Sequence, residues 1–449
     1  MSGTSLHVVI IGGGIGGLCL AQGLKAAGVS VAVYERNPST VWLEGFRIHI
    51  NPVGSRALYE SLPPTLWEAF LAIAGKPPAG LGFLTEQLKD LVVIGEQSMA
   101  SKDDNLIDAH HPVSRIALRQ LLLTGLEDII CFDKTFEYYR QNADGKVTAF
   151  FADGTSATGD VLVAADGANS KVRQQYLPQA RRVETGAVGV GGKLLLTDQT
   201  RAWLPHQLVT RMNLIMPPDR YCLFNAAFDH VVTSVEASNG LRERAKAIGL
   251  NMDQLTDMAQ DYILWGFITP TSAFSASASS LDGPALQHLV GQMIAGWHPD
   301  LRRLVAESDP KSISFGPFKA STLIGPWEST NVTVLGDSIH NMPPMGGLGG
   351  NMALRDACSL AHALTAVQQG NLQLLPAIQA YEAEMRATSF AAVRTALGYT
   401  QQAITSNRIA RRSARAWFRI CQMVQPLRRV FEGRWMEPMR TRLTHTTTN

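Results

Sequence analysis

The chain has 449 residues, of which 45% are hydrophobic and 17% charged, a composition that supports a large core and excludes a mainly disordered protein. A formal net charge of +2 lacks the strongly basic character of a nucleic-acid-binding protein, so we expect no nucleic-acid partner. The five cysteines are scattered without a CxxC pair, and neither a signal peptide nor a long apolar run is evident, so we expect a cytoplasmic enzyme without a metal cluster.

The first predicted elements are a strand, a glycine-rich turn, a helix and a second strand. Residues 6–11 (LHVVII) have the composition of a buried parallel strand, and GxGxxG follows at Gly12, Gly14 and Gly17. In such a unit the first glycine permits a tight turn, the second lets backbone approach a pyrophosphate, and the third lets helix and strand pack closely. The second strand ends at Glu35, where an acid would bind ribose hydroxyls. The pattern predicts dinucleotide binding but leaves FAD and NAD open.

Two later strands are each followed by an aspartate at the carboxyl end. Residues 160–173 (DVLVAADGANSKVR) place Asp166 after one apolar run, and residues 331–337 (NVTVLGD) place Asp337 after another. Ligands of open α/β sheets bind outside the carboxyl ends of the strands. Both aspartates are therefore candidates for the same ligand site.

Residues 336–351 (GDSIHNMPPMGGLGGN) form a long loop before a predicted amphipathic helix. Pro343 and Pro344 restrict the backbone, and the glycines remove Cβ atoms so that a flat ring can lie against the chain. The helix N-terminus near Asn351 offers N–H groups and the positive end of the helix dipole. A flat ring that becomes anionic, attached to a polyol and a pyrophosphate, is the reduced flavin of FAD.

Together the segments GGGIGG, LVAADGANSKVR and GDSIHNMPPMGGLGGN resemble the motifs of the aromatic-hydroxylase family of FAD-dependent, class A monooxygenases. The resemblance extends over about residues 6–390 and is nearest to the branch with salicylate-hydroxylase-like and tetracycline-inactivating enzymes. It implies an α/β fold in which a Rossmann-like FAD-binding domain carries an inserted β-sheet substrate domain and C-terminal helices. Ser338-Ile339 replaces the family's usual Ala-Ala, and Leu348 replaces a frequent Gln. Both departures bear on the mobility of the flavin and not on whether the flavin binds.

The resemblance also implies which residues hold non-covalent FAD. Glu35 is expected at the adenosine ribose, Arg115 at FAD, and Asp166 at both FAD and the reduced nicotinamide. Asp337 is expected at the ribityl or pyrophosphate part, and the end of the glycine loop at the pyrimidine edge of the ring. The implied cofactor-binding residues are Gly12, Gly14, Ile15, Gly17, Glu35, Arg36, Arg47, Arg115, Asp166, Asp337, Gly347, Gly349, Gly350 and Asn351.

The implied activity is a monooxygenase reaction on an aromatic, phenolic or polyketide-like small molecule. NADPH or NADH would reduce FAD, and O2 would form a C4a-hydroperoxyflavin that delivers one oxygen atom. Epoxidation, Baeyer–Villiger insertion on a natural product, and a flavin dehydrogenase or reductase are the alternatives. A flavin halogenase is disfavoured because WGFITP at 265–270 lacks the WxWxIP pattern. We expect a monomer or homodimer.

The residues themselves contain no Ser/His/Asp set or paired acid site, which fits a reaction carried by a cofactor. We identify none of the eleven histidines as having a ligand-type partner four residues away on a clear helix, and so predict no metal site. The candidate pocket residues, of which Arg47 could anchor an anionic substrate or FAD, are Arg47, His49, Tyr221, Phe224 and Pro344.

The predicted domains are discontinuous along the chain. The residue pattern of the C-terminal region has helical periodicity, which predicts helices there. Its residues 408–442 contain ten arginines. We interpret these arginines as a solvated helix face, with a membrane surface, a partner protein or nucleic acid as the alternatives. The boundaries are 1–75, 100–180 and 315–370 for the FAD-binding domain, 76–99 and 181–314 for a β-sheet substrate or lid domain, and 371–449 for the helical region.

Overall fold

The structure is a computed structural model that describes residues 6–39, 45–95, 99, 105–229, 235–252, 260–274 and 280–440. Residues 441–442 of the predicted arginine-rich segment lie outside the described residues. The strands are β1 (His7–Ile11), β2 (Ser30–Tyr34), β3 (Arg47–Ile50), β4 (Leu81–Leu84), β5 (Asp90–Ile94), β6 (His111–Ser114), β7 (Ile130–Cys131), β8 (Phe136–Gln141), β9 (Val147–Phe151), β10 (Ser156–Gly159), β11 (Val161–Ala164), β12 (Arg182–Leu195), β13 (Met212–Ile215), β14 (Cys222–Phe228), β15 (Tyr262–Pro270), β16 (Ser314–Ser321) and β17 (Val332–Val334).

The α-helices lie mainly in the first and last thirds of the chain. The longest are close to the C-terminus, as the apolar period of the sequence predicts. They are α1 (Ile15–Ala26), α2 (Pro52–Ser61), α3 (Pro64–Ile73), α4 (Arg115–Leu123), α5 (Lys171–Tyr176), α6 (Asp198–Arg201), α7 (His206–Thr210), α8 (Val235–Ala247), α9 (Gly283–Met293), α10 (Pro299–Ala306), α11 (Asp337–His340), α12 (Gly349–Gln368), α13 (Leu374–Ile404), α14 (Arg408–Met423) and α15 (Gln425–Arg440).

A parallel sheet with strand order β17-β11-β1-β2-β7 carries the predicted glycine turn. Its central strand β1 is buried because both faces of a parallel sheet are covered, and its run of valines and isoleucines suits that environment. In register, Ile11 lies opposite Ala164, which lies opposite Val334. The three strands therefore end at one level, and the segments that follow them meet at one edge of the sheet.

A second, seven-stranded sheet has the order β16-β12-β15-β14-β13-β4-β5. One face packs against α9 and α10 in a buried cluster, and the other packs against the glycine-rich loop and α13. Strands β4 and β5 join this sheet although they precede most of it in sequence. The predicted boundary at residue 315 falls inside β16, which pairs with β12, so the large sheet extends to Ser321. Because β12 and β16 are distant in sequence, local sequence patterns do not predict that they pair.

Helices connect the two sheets. Helix α12 packs against α1, α2 and α13, and α13 in turn contacts β12 and β15 of the large sheet. Helix α14 lies across β5. Among the described helices, none combines the length and the apolar character needed to cross a membrane.

Candidate functional site

The glycine turn after β1 has a different steric requirement at each glycine. Gly12 has φ +111°, and a Cβ there would lie 2.3 Å from Ala165 O. A Cβ at Gly17 would lie 2.2 Å from Gly12 O, so the first turn of α1 depends on its absence. A Cβ at Gly14 would meet no atom within 4 Å, and α1 begins there without a side-chain cap. Backbone at Gly14 therefore faces open space, where helix N–H groups can receive an anion.

Two buried charged side chains hydrogen-bond to the backbone of Gly13, one at its N–H group and one at its carbonyl oxygen. Gly13 N donates to Glu35 Oε2 at 2.7 Å, and Arg119 Nε donates to Gly13 O at 3.0 Å. Glu35 Oε1 also accepts from Asn37 N at 2.8 Å. Burial lowers the pKa of Arg119, while the nearby charge of Glu35 acts in the opposite direction. The glycine turn is thus fixed by a buried acid and a buried base.

The sequence analysis did not identify Arg119, and its expectation that Arg115 of the same helix contacts FAD stays a prediction. Arg115 is exposed and lies beside Gly45, whereas Arg119 is buried against the glycine turn. Because residues four apart occupy one face of a helix, the sequence pattern alone does not say which of the two arginines is buried. Arg36, another predicted cofactor-binding residue, is also exposed.

Asp166 lies at the carboxyl end of β11, next to the glycine turn. Its Oδ2 accepts from Lys171 N at 2.9 Å and from Val172 N at 3.4 Å. Its Oδ1 is buried and has no hydrogen-bond partner among the residues that the structure describes. Burial raises the pKa of Asp166. Because buried polar atoms are normally paired, Oδ1 suits a donor supplied by a ligand.

The loop after β11 is joined to the loop after β17 by an arginine that sequence reasoning did not identify. Arg173 Nη1 donates to Ser338 O at 2.8 Å and to Ala168 O at 3.1 Å. A Cβ on Gly167, with φ +75°, would meet no atom within 4 Å. The two loops therefore form one continuous wall with an open side at Gly167.

Asp356 of α12 anchors the start of the loop after β17. Its Oδ2 accepts from Gly336 N at 3.1 Å and lies 2.6 Å from His340 Nε2, and its Oδ1 accepts from Ser389 Oγ at 3.1 Å. Burial lowers the pKa of His340, but the charge and hydrogen bond of Asp356 and the charge of Asp337 raise it to above its ordinary value. Asp356 positions the loop, and the sequence analysis did not single it out.

The glycines that follow leave one side of the loop open. A Cβ at Gly347 or Gly350 would meet no atom within 4 Å, and one at Gly349 would make only ordinary contacts. The carboxylate of Asp337 lies at this side, because its Oδ1 would be 3.9 Å from that Cβ of Gly349. Pro344 is exposed nearby, and α12 begins at Gly349 without a side-chain cap. The open glycines and the start of α12 thus share one face.

The side chain of Asn351 is engaged within the protein. Its Nδ2 donates to His49 O and to Gly347 O, each at 2.8 Å, and its Oδ1 accepts from Asn51 N at 2.9 Å. A Cβ at Gly54 would lie 2.3 Å from that Oδ1. One amide hydrogen therefore fastens the loop to β3, the other closes the loop onto Gly347, and Oδ1 holds the N-cap residue of α2. Only the backbone of Asn351 is left for the ligand contact that the sequence analysis expected.

Arg47 and His49 lie where β3 meets the large sheet. Arg47 Nη1 donates to Ala227 O at 3.0 Å, and Arg47 N donates to Tyr262 Oη at 2.5 Å. His49 Nε2 lies 2.8 Å from His110 Nδ1. Burial lowers the pKa of Arg47 to about 10, and burial together with neighbouring basic groups lowers the pKa of His49 well below its ordinary value. The structure therefore places a cationic Arg47 beside the neutral imidazole of His49.

Tyr221 and Phe224, the remaining predicted pocket residues, lie on opposite faces of the large sheet. Phe224 packs in the cluster that includes Met342 and Leu348 of the glycine-rich loop. Tyr221 packs on the other face, with its ring 5.5 Å from that of Phe267. Side chains alternate along a strand, so residues three apart face opposite ways. Alternation in the sequence could have separated these two candidates.

Comparison with known families gives one extensive match. The family described as "FAD binding domain" matches residues 5–225 and 301–396. The chain is 36% identical to a protein of Photorhabdus luminescens subsp. laumondii TTO1, assigned as a FAD containing monooxygenase, with a TM-score of 0.77. That match covers 89% of this chain and 99% of the other. Klebsiella pneumoniae HpxO complexed with FAD and uric acid, at 22% identity and a TM-score of 0.72 over 97% and 96% of the two chains, shares the fold.

Named fungal relatives give a second comparison. The chain is 34% identical over 416 residues to the dual O-methyltransferase/FAD-dependent monooxygenase CTB3 of Cercospora beticola, covering 86% of this chain and 45% of the relative. It is 27% identical over 399 residues to the FAD-dependent monooxygenase phnB of Penicillium herquei, covering 86% and 88%. The chain thus spans less than half the length of the Cercospora relative.

Proposed function

Because this chain belongs to the FAD binding domain family, we propose that it is an NAD(P)H-consuming monooxygenase that inserts one oxygen atom of O2 into an aromatic, phenolic or polyketide-like small molecule. FAD would be bound non-covalently, and NADPH or NADH would be the reductant. When bound, FAD supplies the redox and oxygen chemistry, and the chain supplies binding, orientation and the exclusion of water.

The observation that carries the proposal is the open edge shared by three strand ends. Gly14, Gly167, Gly347 and Gly350 each have room for a ligand where a Cβ would be, and they lie on the segments that follow β1, β11 and β17. The same edge holds the unpartnered Asp166 Oδ1. A ligand with a pyrophosphate in its middle and a flat ring at one end suits this combination of helix N-termini and open backbone.

Each part of the edge has a proposed role toward FAD. The start of α1 would bind the pyrophosphate, and Glu35 would accept from ribose hydroxyls while it keeps its bond to Gly13 N. Asp337 would accept from hydroxyls of the ribityl chain. The glycine-rich loop would hold the ring, with the start of α12 favouring negative charge on the ring's near edge.

The substrate would lie between the glycine-rich loop and the large sheet. Phe224 packs on that side and offers an aromatic surface, while buried Arg47 offers a cation in the joint between β3 and the sheet. Arg47 Nε is buried and has no partner among the described residues, so it suits an acceptor oxygen of the substrate. We therefore propose a flat substrate with a phenolate-like or enolate-like oxygen. Uric acid, bound by the Klebsiella neighbour, has a comparable flat form.

The test is to purify the protein and measure its flavin content and its reaction with a panel of phenols and aromatic polyketides. We expect yellow protein whose flavin is released entirely by acid, and substrate-dependent consumption of NADPH or NADH and O2. Mass spectrometry with ¹⁸O2 should show one labelled oxygen in the product. Protein that cannot be reconstituted with FAD would contradict the cofactor assignment, and product without the label would contradict the monooxygenase reaction.

A further inference from the structure

Three side chains of metal-ligand type meet on the side of the molecule formed by α2 and α12. Cys358 and His362 are four residues apart on α12, so they share a face, and Glu60 of α2 lies opposite them. The sequence analysis predicted no metal site and did not note this pair. The full group is visible only in the fold, because Glu60 is distant in sequence and reaches the pair through the packing of α2 on α12.

The distances between the ligand atoms are slightly longer than those of a tetrahedral site. Cys358 Sγ lies 3.4 Å from Glu60 Oε2, and His362 Nε2 lies 3.8 Å from the same oxygen. All three ligand atoms lie within 4.8 Å of one another. A Zn–S bond is about 2.3 Å long, and a Zn–O or Zn–N bond is about 2.0–2.1 Å long. At tetrahedral angles, such bonds place neighbouring ligand atoms about 3.3–3.5 Å apart. Small side-chain rotations would therefore bring one Zn²⁺ ion into reach of all three.

The three side chains differ in burial, and this leaves the group open to solvent on one side. The residue Cys358 is 1% exposed and lies at the base, whereas the side chains of Glu60 and His362 are 19% and 50% exposed. A cation could enter from solvent between them and keep water as a fourth ligand. The set of one thiolate, one imidazole and one carboxylate suits a borderline-soft divalent cation rather than Mg²⁺ or Ca²⁺, which prefer oxygen ligands.

We propose that Glu60, Cys358 and His362 form a binding site for one Zn²⁺ ion. On binding, the bond between Cys358 sulfur and its proton breaks, a sulfur–zinc bond forms, and the proton leaves to solvent. No oxidation or reduction is involved. Because Zn²⁺ binds the thiolate and binding therefore releases this proton, the affinity for Zn²⁺ should increase as the pH rises.

The ion would link two helices that also hold the glycine-rich loop. Asn51, which caps α2, donates its backbone N–H to Asn351 near the start of α12. A cation held between Glu60 and Cys358 would join the same two helices farther along. Because a ligand that binds only the folded state stabilises it, Zn²⁺ should raise the unfolding temperature. This site is separate from the proposed FAD site, and the inference does not depend on the proposed function.

The experiment is titration of the FAD-reconstituted protein with ZnCl2 in a calorimeter, under reducing conditions and at several pH values. We expect one ion per chain, with tighter binding at higher pH. Cys358→Ser, His362→Gln and Glu60→Gln should each weaken binding at least about tenfold. The matched controls are Cys131→Ser, which removes an exposed cysteine, and His288→Gln, which removes an exposed histidine, and neither should change the affinity.

Cobalt gives an independent readout. Addition of Co²⁺ should produce a thiolate-to-cobalt charge-transfer band in the difference spectrum, which Cys358→Ser abolishes and Cys131→Ser retains. Flavin content and thermal unfolding without added metal check that each variant is folded. The proposal is overturned if Zn²⁺ does not bind in the micromolar range. It is equally overturned if folded Cys358→Ser and His362→Gln bind as tightly as the wild type, since that binding would be adventitious.

Discussion

At the scale of single residues, Glu35 shows how one side chain can serve both the fold and a ligand. A carboxylate has about four acceptor positions, and two of those on Glu35 are used by Gly13 N and Asn37 N. The remaining positions can accept from sugar hydroxyls. Glu137 of β8 is an exposed carboxylate with no predicted role toward FAD, which makes it a useful control.

Glu35→Ala is expected to weaken FAD binding roughly five- to a hundredfold. The change removes an acceptor from Gly13 N and from the ribose, and an unsatisfied buried polar group costs about 1–3 kcal/mol. Flavin fluorescence quenching during titration of the apoprotein measures the affinity. Glu137→Ala should bind FAD like the wild type. Equal affinities of the Glu35→Ala protein and the wild type would show that the ribose lies elsewhere.

At the scale of elements, the segment from β17 to α12 is a loop with both ends fixed. Asp356 holds its start through Gly336 and His340, and Asn351 holds its end through His49 and Asn51. The glycines between these anchors remain open on one side. The loop is therefore a rigid surface prepared for a flat ligand.

Gly349→Val is expected to lower FAD occupancy and to increase hydrogen peroxide formed per NAD(P)H in the flavin-loaded remainder. A Cβ at Gly349 would lie 3.7 Å from Met342 Cγ and 3.9 Å from Asp337 Oδ1, ordinary contact distances that the protein accommodates. The branched γ-carbons of valine would extend toward the ring. Gly291→Val, at a helical glycine of α9 that also has open surroundings, is the control. Full occupancy with unchanged peroxide yield in Gly349→Val would place the ring away from this loop.

The anchor at His340 is expected to give a pH-dependent contribution to stability. Its pKa in the folded protein is raised above the ordinary value of about 6.5, so the contribution is fully present below that pH and is lost as pH rises through the folded pKa. The difference in unfolding temperature between wild type and His340→Gln should be larger at about pH 6 than at about pH 9. His288→Gln, at an exposed site, should show no such trend. A difference that grows with pH would refute a raised pKa.

At the scale of the whole molecule, β3, which pairs with β6 in a separate two-stranded sheet, is joined to the large sheet through Arg47. Arg47 bonds to Ala227 of β14 through its side chain and to Tyr262 of β15 through its backbone. The proposed substrate space adjoins this joint. The geometry of this space therefore depends on contacts between residues that are 180 and 215 positions apart in sequence.

Tyr262→Phe is expected to lower the unfolding temperature by a few degrees and to raise peroxide formation. Loss of the hydroxyl leaves buried Arg47 N–H without its acceptor, at a cost of about 1–3 kcal/mol. Differential scanning fluorimetry and a peroxide assay with a competent substrate measure the two effects. Tyr138→Phe, in which a partly exposed ring stacked on Phe150 loses its hydroxyl, should change neither. If Tyr262→Phe matches the wild type in both assays, this bond does not hold the joint.

The sequence alone determined the parts of the protein that depend on local pattern. GxGxxG between two apolar strands predicted the turn of Gly12 to Gly17, and strands ending at Asp166 and Asp337 predicted one shared edge, because parallel strands end together. The helical periodicity of apolar residues predicted the C-terminal helices in the same way. Local pattern does not report which distant segments touch.

Tertiary structure decided the contacts between distant segments. Packing placed Arg119 at the glycine turn, engaged the side chain of Asn351 with β3 and α2, and brought Glu60 to Cys358. It also extended the large sheet through β16. The physical reason is that burial and hydrogen bonding depend on which surfaces meet after folding, whereas strand, turn and helix preferences are properties of neighbouring residues.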